Sequence, residues 1–302
     1  MKMRDLAIGL SVALALTPAS AFADALEGKR TPVEIMAEAA PQEWRTFDQE
    51  NLLYIDLASG TAIVALSDVL ARDHVRQMKA LVRQGFYDGL SFYRVIDGFV
   101  AQGGDPFEVR DIGDAAASLD AEFEEPLSAV DGRQALARDA DGYASQVGFV
   151  NGLPVGIDDE RETVWHLHCA GAFAYGRNDE RNSASTEFYI TLQPQRYLDR
   201  NLTVFGRVIS GMEHVQSLRR NTPPASEDED VGEKIIAMHI GVDLPPARQM
   251  QLEILRTDSD AFAEYWESRR NRPGSFFHFR HDYVDICQLP MPIREKAMAD
   301  AE

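Results

Sequence analysis

The sequence predicts a mainly β fold: a closed antiparallel barrel capped by two helices, carrying one long insertion and a C-terminal extension. Three observations lead there. Short apolar runs of strand length recur between turns built on Gly, Asn and Asp. Within residues 51–242 only two stretches repeat apolar residues at helical spacing. Strands and helices never alternate in the βαβ order that a doubly wound parallel sheet requires.

The elements follow in chain order. Residues 24–49 are rich in Ala, Glu and Pro, with Trp44 as the one large anchor, and read as an extension lying on the main body. Residues 52–58 (LLYIDLA) set Leu53, Ile55 and Leu57 against polar neighbours, Ser59-Gly60 breaks the run, and 61–67 (TAIVALS) resume it, which predicts a hairpin. Val75, Met78, Leu81 and Val82 share one helix face, and Gly85 closes that helix. The stretch 91–106 (SFYRVIDGFVAQGGDP) begins as a buried strand yet places Arg94 inside its apolar run. It breaks at Asp97-Gly98, resumes at Phe99-Val100, and presents Gln102 before a Gly-Gly-Asp-Pro turn.

Residues 107–163 are acidic, rich in Ala, Asp and turn formers, and longer than an ordinary loop, so they read as a large insertion of short irregular elements, functional or partly mobile. Regular structure returns at 172–176 (AFAYG), 187–192 (EFYITL) and 203–209 (TVFGRVI). A second helix follows, with Met212, Val215 and Leu218 on one face. The acidic loop SEDEDVGE then leads to a last strand over 234–242. Past Asp243 the extension holds one helix, 259–270, with Phe262 and Trp266 four apart, and Pro273-Gly274 ends it.

Composition narrows the function classes. With 302 residues the chain can bury a sizeable core. Its 49 acidic against 30 basic residues give a net charge of -19, which argues against binding a nucleic-acid backbone. At the N-terminus two cations precede a short apolar run over 6–16, and Ala21-Phe22-Ala23 offers small residues where a signal peptidase cuts. The expectation is a signal peptide over 1–23 and an exported, periplasmic protein with no membrane segment after its removal. Cys169 and Cys287 form one disulfide in such a compartment or stay two separate buried thiols, and the sequence leaves both open. No C-x-x-C supports a thiol oxidoreductase. No G-x-S-x-G, P-loop or H-E-x-x-H supports another enzyme class.

YDGLSFYRVIDGFVAQGGDP over 87–106 resembles the signature of the cyclophilins, peptidyl-prolyl cis-trans isomerases. GAFAYGRN (171–178), STEFYITL (185–192) and YLDRNLTVFGRVISGMEHV (197–215) extend the resemblance in the family's order, over 51–242 with the 107–163 insertion inside it. Segments 24–50 and 243–302 flank it. The resemblance implies an eight-stranded antiparallel barrel with two capping helices. It implies Arg94 as the catalytic arginine. Phe99, Val100 and Leu198 would wall the proline pocket with Tyr189, Tyr197 would be a further substrate-binding residue, Gln102 would hydrogen-bond the substrate backbone, and Gly176, Arg177 and Glu187 would line the groove beside it. Substrates would be proline-containing segments of unfolded or flexible exported proteins, with no cofactor or metal. The oligomeric state is not legible.

The chemistry suits these residue types. Amide resonance sets a barrier of about 18–20 kcal/mol to C–N rotation, and unaided X–Pro isomerisation takes tens to hundreds of seconds. As the bond twists, the prolyl nitrogen becomes pyramidal and basic. A fixed guanidinium then donates to it mainly in the twisted state, which lowers the barrier rather than merely tightening binding.

Four positions depart from the family pattern: Tyr93 where His is common, Glu187 for a groove glutamine, Tyr197 for Trp or Phe, and Leu202 for His or Tyr. Glu187 raises the prospect of an ion pair with Arg94 or Arg177, which would either divert the catalytic guanidinium or orient it. A second reading follows: a catalytically weak prolyl-binding module or holdase that grips segments without turning them over.

Other clusters have plainer readings. On a strand, His166 and His168 share a face while Cys169 points away, and nothing nearby completes four converging zinc ligands. SEDEDVGE lacks the spaced ligands of a calcium loop. SRRNRPGSFFHF reads as a helix end with cations at its negative pole, followed by residues that pack onto the body.

Overall fold

A computed structural model describes residues 29–130, 134–137 and 139–296, so the expected signal peptide lies outside the described residues. The elements in chain order are α1 (Pro32–Glu38), β1 (Trp44–Thr46), β2 (Leu52–Leu57), β3 (Gly60–Leu66), α2 (Arg72–Arg83), β4 (Ser91–Val95), β5 (Val100–Gly104), β6 (Glu125–Pro126), β7 (Gln134–Leu136), β8 (Gln146–Val150), β9 (Leu153–Asp158) and β10 (Thr163–His166). They continue with β11 (Ala172–Tyr175), β12 (Phe188–Thr191), β13 (Val204–Ser210), α3 (Met212–Gln216), β14 (Glu233–Lys234), β15 (Ala237–Ile240), β16 (Leu252–Leu255), α4 (Asp260–Arg270) and β17 (Ile293–Glu295).

The expected hairpin forms as β2 and β3, with Leu53 opposite Val64 and Ile55 opposite Ala62. These residues face a core shared with α2 through Val75, Met78, Leu81 and Val82, and with the second helix region through Val215 and Leu218. Helix α2 stops where Gly85 takes φ 68°. There the Phe86 N–H reaches the Leu81 carbonyl and the Gly85 N–H reaches that of Val82, both at 3.0 Å, closing the orphan carbonyls of the last turn. Its first turn lacks a side-chain cap of its own. The Glu122 carboxylate, from the insertion, accepts the backbone N–H groups of Asp73 and His74 instead.

These strands belong to one curled antiparallel sheet in the order β14-β4-β5-β12-β11-β13-β3-β2-β15. It pairs nine strands where eight were expected, because the segment read as one strand over 234–242 divides. β14 pairs with β4, β15 pairs with β2, and only Ile235 and Ile236 lie between them.

The insertion departs furthest from expectation. It holds regular structure: β6 to β10 form a five-stranded antiparallel sheet in the order β6-β10-β9-β8-β7. One face buries Val150, Val155, Ile157 and Val164 with Leu70. The other buries Val147, Phe149 and Trp165 against Phe262, Tyr265 and Trp266 of α4 and Ile35 of α1. Turn-rich sequence hid these strands, since their apolar runs are short and Gly148, Pro154 and Gly156, of types depleted in strands, stand among them.

The two flanking segments join each other. β1 and β17 pair with β16 in a third sheet, which covers Leu52, Tyr54, Ile63 and Ala65 on the outer face of the hairpin. Cys169 and Cys287 are disulfide-bonded, tying the main body to the C-terminal extension. In contrast to the expected packing, Phe276 and Phe279 stand 83% and 72% exposed.

Candidate active site

Arg94 reaches the surface because β4 carries a β-bulge. Its register with β5 shifts between Ser91 and Arg94, so Phe92 and Val95 both enter the main core while the adjacent Tyr93 and Arg94 are re-aimed away from it. The turn that follows puts Gly98 at φ 66°, a left-handed conformation costly for residues with a Cβ. Phe99, next in the chain, then lies under Arg94, with the guanidinium carbon 5.4 Å from the ring centroid.

Four side chains make a polar wall. Arg94 Nη1 donates to Gln102 Oε1 at 3.0 Å. Gln102 Nε2 donates to Glu187 Oε2 at 3.1 Å and also to the Tyr93 hydroxyl. The Tyr93 hydroxyl donates to Glu187 Oε2. Among the described residues Arg94 forms no ion pair, so Glu187 does not divert it. A carboxylate only accepts, so Glu187 compels the Gln102 amide to turn its nitrogen inward and its oxygen toward Arg94. Burial raises the Glu187 carboxyl above its ordinary range, against the lowering effect of the bonds from Tyr93 and Gln102. Burial, then the Glu187 charge, likewise hold the Tyr93 phenol protonated.

An apolar patch meets that wall. Val100 and Tyr189 are buried with Ala172, Ala174 and Val204, and Phe99 and Leu202 pack against them. One cavity of about 210 Å³ joins the two, lined by Arg94, Phe99, Val100, Gln102, Glu187, Tyr189, Leu198 and Leu202 and extending past Glu108, Gly176, Arg177 and Ser183 to Thr186. Arg177 is held by carbonyls, donating to Asn201 O at 2.9 Å and to Asn178 O at 2.6 Å.

Nine of the ten residues expected at the site therefore line one cavity. Tyr197 does not: it is 60% exposed and outside that lining. Gln102, expected to face a substrate, has its amide engaged by Arg94, Glu187 and Tyr93. The sequence reading missed the role of Tyr93, although the spacing in FYRV, with core residues three apart, already breaks strand alternation. His166 and His168 hold separate partners, Ser67 for the first and Asp199 with Tyr189 for the second. No group of three or more potential ligands gathers among the described residues.

A fold and cavity of this kind define a class, and comparison with known proteins agrees. The family model for cyclophilin type peptidyl-prolyl cis-trans isomerase/CLD matches residues 52–242. A probable peptidyl-prolyl cis-trans isomerase of Brucella suis is 30% identical over 196 residues, which cover 65% of this chain and 85% of that protein. Peptidyl-prolyl cis-trans isomerase B of Bacillus subtilis is 30% identical over 144 residues, 48% of this chain and 73% of the relative. The crystal structure of cyclophilin AquaCyp293 from Hirschia baltica superposes with a TM-score of 0.71 at 28% identity, covering 90% of this chain and all of that one. The chain belongs to the cyclophilin-type peptidyl-prolyl cis-trans isomerase family. It is a mainly β isomerase built on a curled antiparallel sheet.

Proposed function

We propose that this isomerase turns over X–Pro bonds in unfolded or flexible segments of exported proteins, with Arg94 as the catalytic guanidinium. The observation that carries this reading is the junction of Arg94, unpaired by any carboxylate among the described residues, with the apolar patch of Phe99, Val100, Tyr189, Leu198 and Leu202 in one cavity. The prolyl ring rests on that patch, and Arg94 donates to the ring nitrogen as the amide twists. Glu187 and Tyr93 hold Gln102, which holds Arg94, so the donor meets the transition state already oriented. Gln102 exchanges one of its internal bonds for the substrate backbone, and Gly176 and Arg177 border the chain that precedes the proline.

The energetics require both walls. An acceleration of about 10⁵ needs about 7 kcal/mol, whereas one charge-assisted hydrogen bond contributes about 1.5–3 kcal/mol. Holding the ring while the preceding carbonyl rotates supplies the remainder. The Cys169–Cys287 bond supports the exported, periplasmic reading, because disulfides persist in oxidising compartments. We also read the curled sheet as a closed barrel, since β14 and β15, its two ends, are one continuous stretch of chain.

The test is the cis-to-trans rate of a short X–Pro peptide at low temperature. Arg94→Ala is expected to lower kcat/KM by at least about tenfold while the fold persists. Prolyl-peptide binding that survives Arg94→Ala, with no turnover by either protein, would instead establish the second reading, a prolyl-binding module.

A further inference from the structure

Beneath the apolar patch runs a buried polar chain that the proposed chemistry does not use. The Tyr189 hydroxyl points away from the cavity to His168 Nε2 at 2.8 Å. His168 Nδ1 lies 3.0 Å from Asp199 Oδ1, which also accepts the His168 backbone N–H at 2.9 Å. Asp199 Oδ2 accepts from Arg196 Nε at 2.6 Å. Arg196 closes the chain with two parallel bonds to Asp141, at 2.8 and 2.9 Å. His168, Asp199 and Arg196 are all buried.

Each link fixes the next. Burial, then the Asp199 charge, hold the Tyr189 phenol protonated, and its hydroxyl meets His168 Nε2 while His168 Nδ1 lies against Asp199. Burial acts to raise the Asp141 carboxyl, yet Arg196 and the backbone N–H groups of Tyr143 and Ala144 keep it below its ordinary range. Arg196 opens the single turn Arg196–Leu198 that carries Leu198, and Asp199 follows it. The same chain therefore sets the ring of Tyr189 on one side of the cavity and the position of Leu198 on another. Asp141 belongs to the insertion, and Cys169, beside His168, is bonded to the C-terminal extension.

We infer that His168, Asp199 and Arg196 are positioning residues for the prolyl pocket, and that Asp141 makes the insertion part of the isomerase site. The inference rests on the assignment of that cavity as the prolyl pocket. A merely structural network predicts lost stability without a change in how substrate is held. A positioning network predicts a change in KM that depends on the Tyr189 hydroxyl at the far end of the chain.

A double-mutant cycle separates the two. Asp141→Asn keeps the shape and removes the charge, and Tyr189→Phe keeps the ring and removes the hydroxyl. The four proteins are compared by kcat and KM for X–Pro isomerisation, at a temperature where near-UV circular dichroism shows each folded. Each single change is expected to raise KM roughly three- to tenfold with kcat altered less, and the double variant to resemble the worse single one. An unchanged KM in either single variant, or effects that simply multiply, overturns the inference. Arg94→Ala measured alongside distinguishes the causes: its loss of turnover with an additive cycle overturns the positioning role alone, whereas unchanged turnover overturns the cavity assignment as well.

Discussion

The two walls of the cavity are held in opposite ways. The polar wall of Tyr93, Arg94, Gln102 and Glu187 is self-contained: three residues come from β4 and β5, Glu187 immediately precedes β12, and they bond to one another. The apolar wall is braced from outside the family region's own strands, through His168, Asp199 and Arg196 to the insertion, and through Cys169 to the C-terminal extension. On the positioning role inferred above, the added segments act as scaffold for one side of the site. On the proposed function, the polar wall exchanges hydrogen bonds with substrate, whereas the apolar wall grips a ring by contact and has to be stiff.

Removing the disulfide is the strongest way to break that contrast. It spans 118 residues of sequence, and closing a loop of that length restricts the unfolded chain by about 4–5 kcal/mol. Cys169→Ser with Cys287→Ser is expected to lower unfolding free energy in urea by about that amount. The same variant should raise KM more than it lowers kcat, because it loosens only the apolar side. An equal loss in both would mean that the walls are not independently held.

A change on the polar side should do the reverse. Glu187→Gln lets the Gln102 amide flip, and kcat is expected to fall about fivefold with KM nearly constant, in line with one charge-assisted bond partly replaced. This group also carries a pH signature. Its folded-state pKa is raised above the ordinary 4.5 by burial, so the folded chain holds that proton to higher pH than the unfolded chain. The resulting stability is full below the unfolded value and is lost as pH rises through the folded one. Urea titrations from pH 4 upward should show that decline in the wild type and its absence in Glu187→Gln.

The smallest effect sharpens the limits of the scaffold. Phe276 and Phe279 are exposed and touch neither wall, so Phe276→Ser with Phe279→Ser should shift stability by no more than about 0.5 kcal/mol. Turnover of a short peptide should stay unchanged. A large loss in either measurement would show that this loop also braces the site.

Much of this was legible in residues alone, wherever local chemistry dictates structure. Leu53, Ile55 and Leu57 alternate because one face of β2 meets the core. Val75, Met78, Leu81 and Val82 recur at helical spacing and Gly85 ends their helix. The helix expected over 259–270 forms as α4, with the Ser259 hydroxyl accepting the Phe262 N–H at its start. The signature around Arg94 also located the cavity. The insertion was misread because β6 to β10 are short and pair with one another, leaving no long periodic run. The Phe276 and Phe279 loop was misread because burial of an aromatic depends on whether a surface is there to receive it.

By itself, then, the sequence determined the family, the main sheet and the identity of nine cavity residues, since strand alternation, helix period and signature spacing are local properties. Tertiary structure alone decided that Cys169 meets Cys287, that Glu187 grips Gln102 rather than Arg94, and that Asp141 reaches Arg196. Each of those contacts joins residues from separate elements, and their energies exist only once hydrophobic burial has brought the elements together.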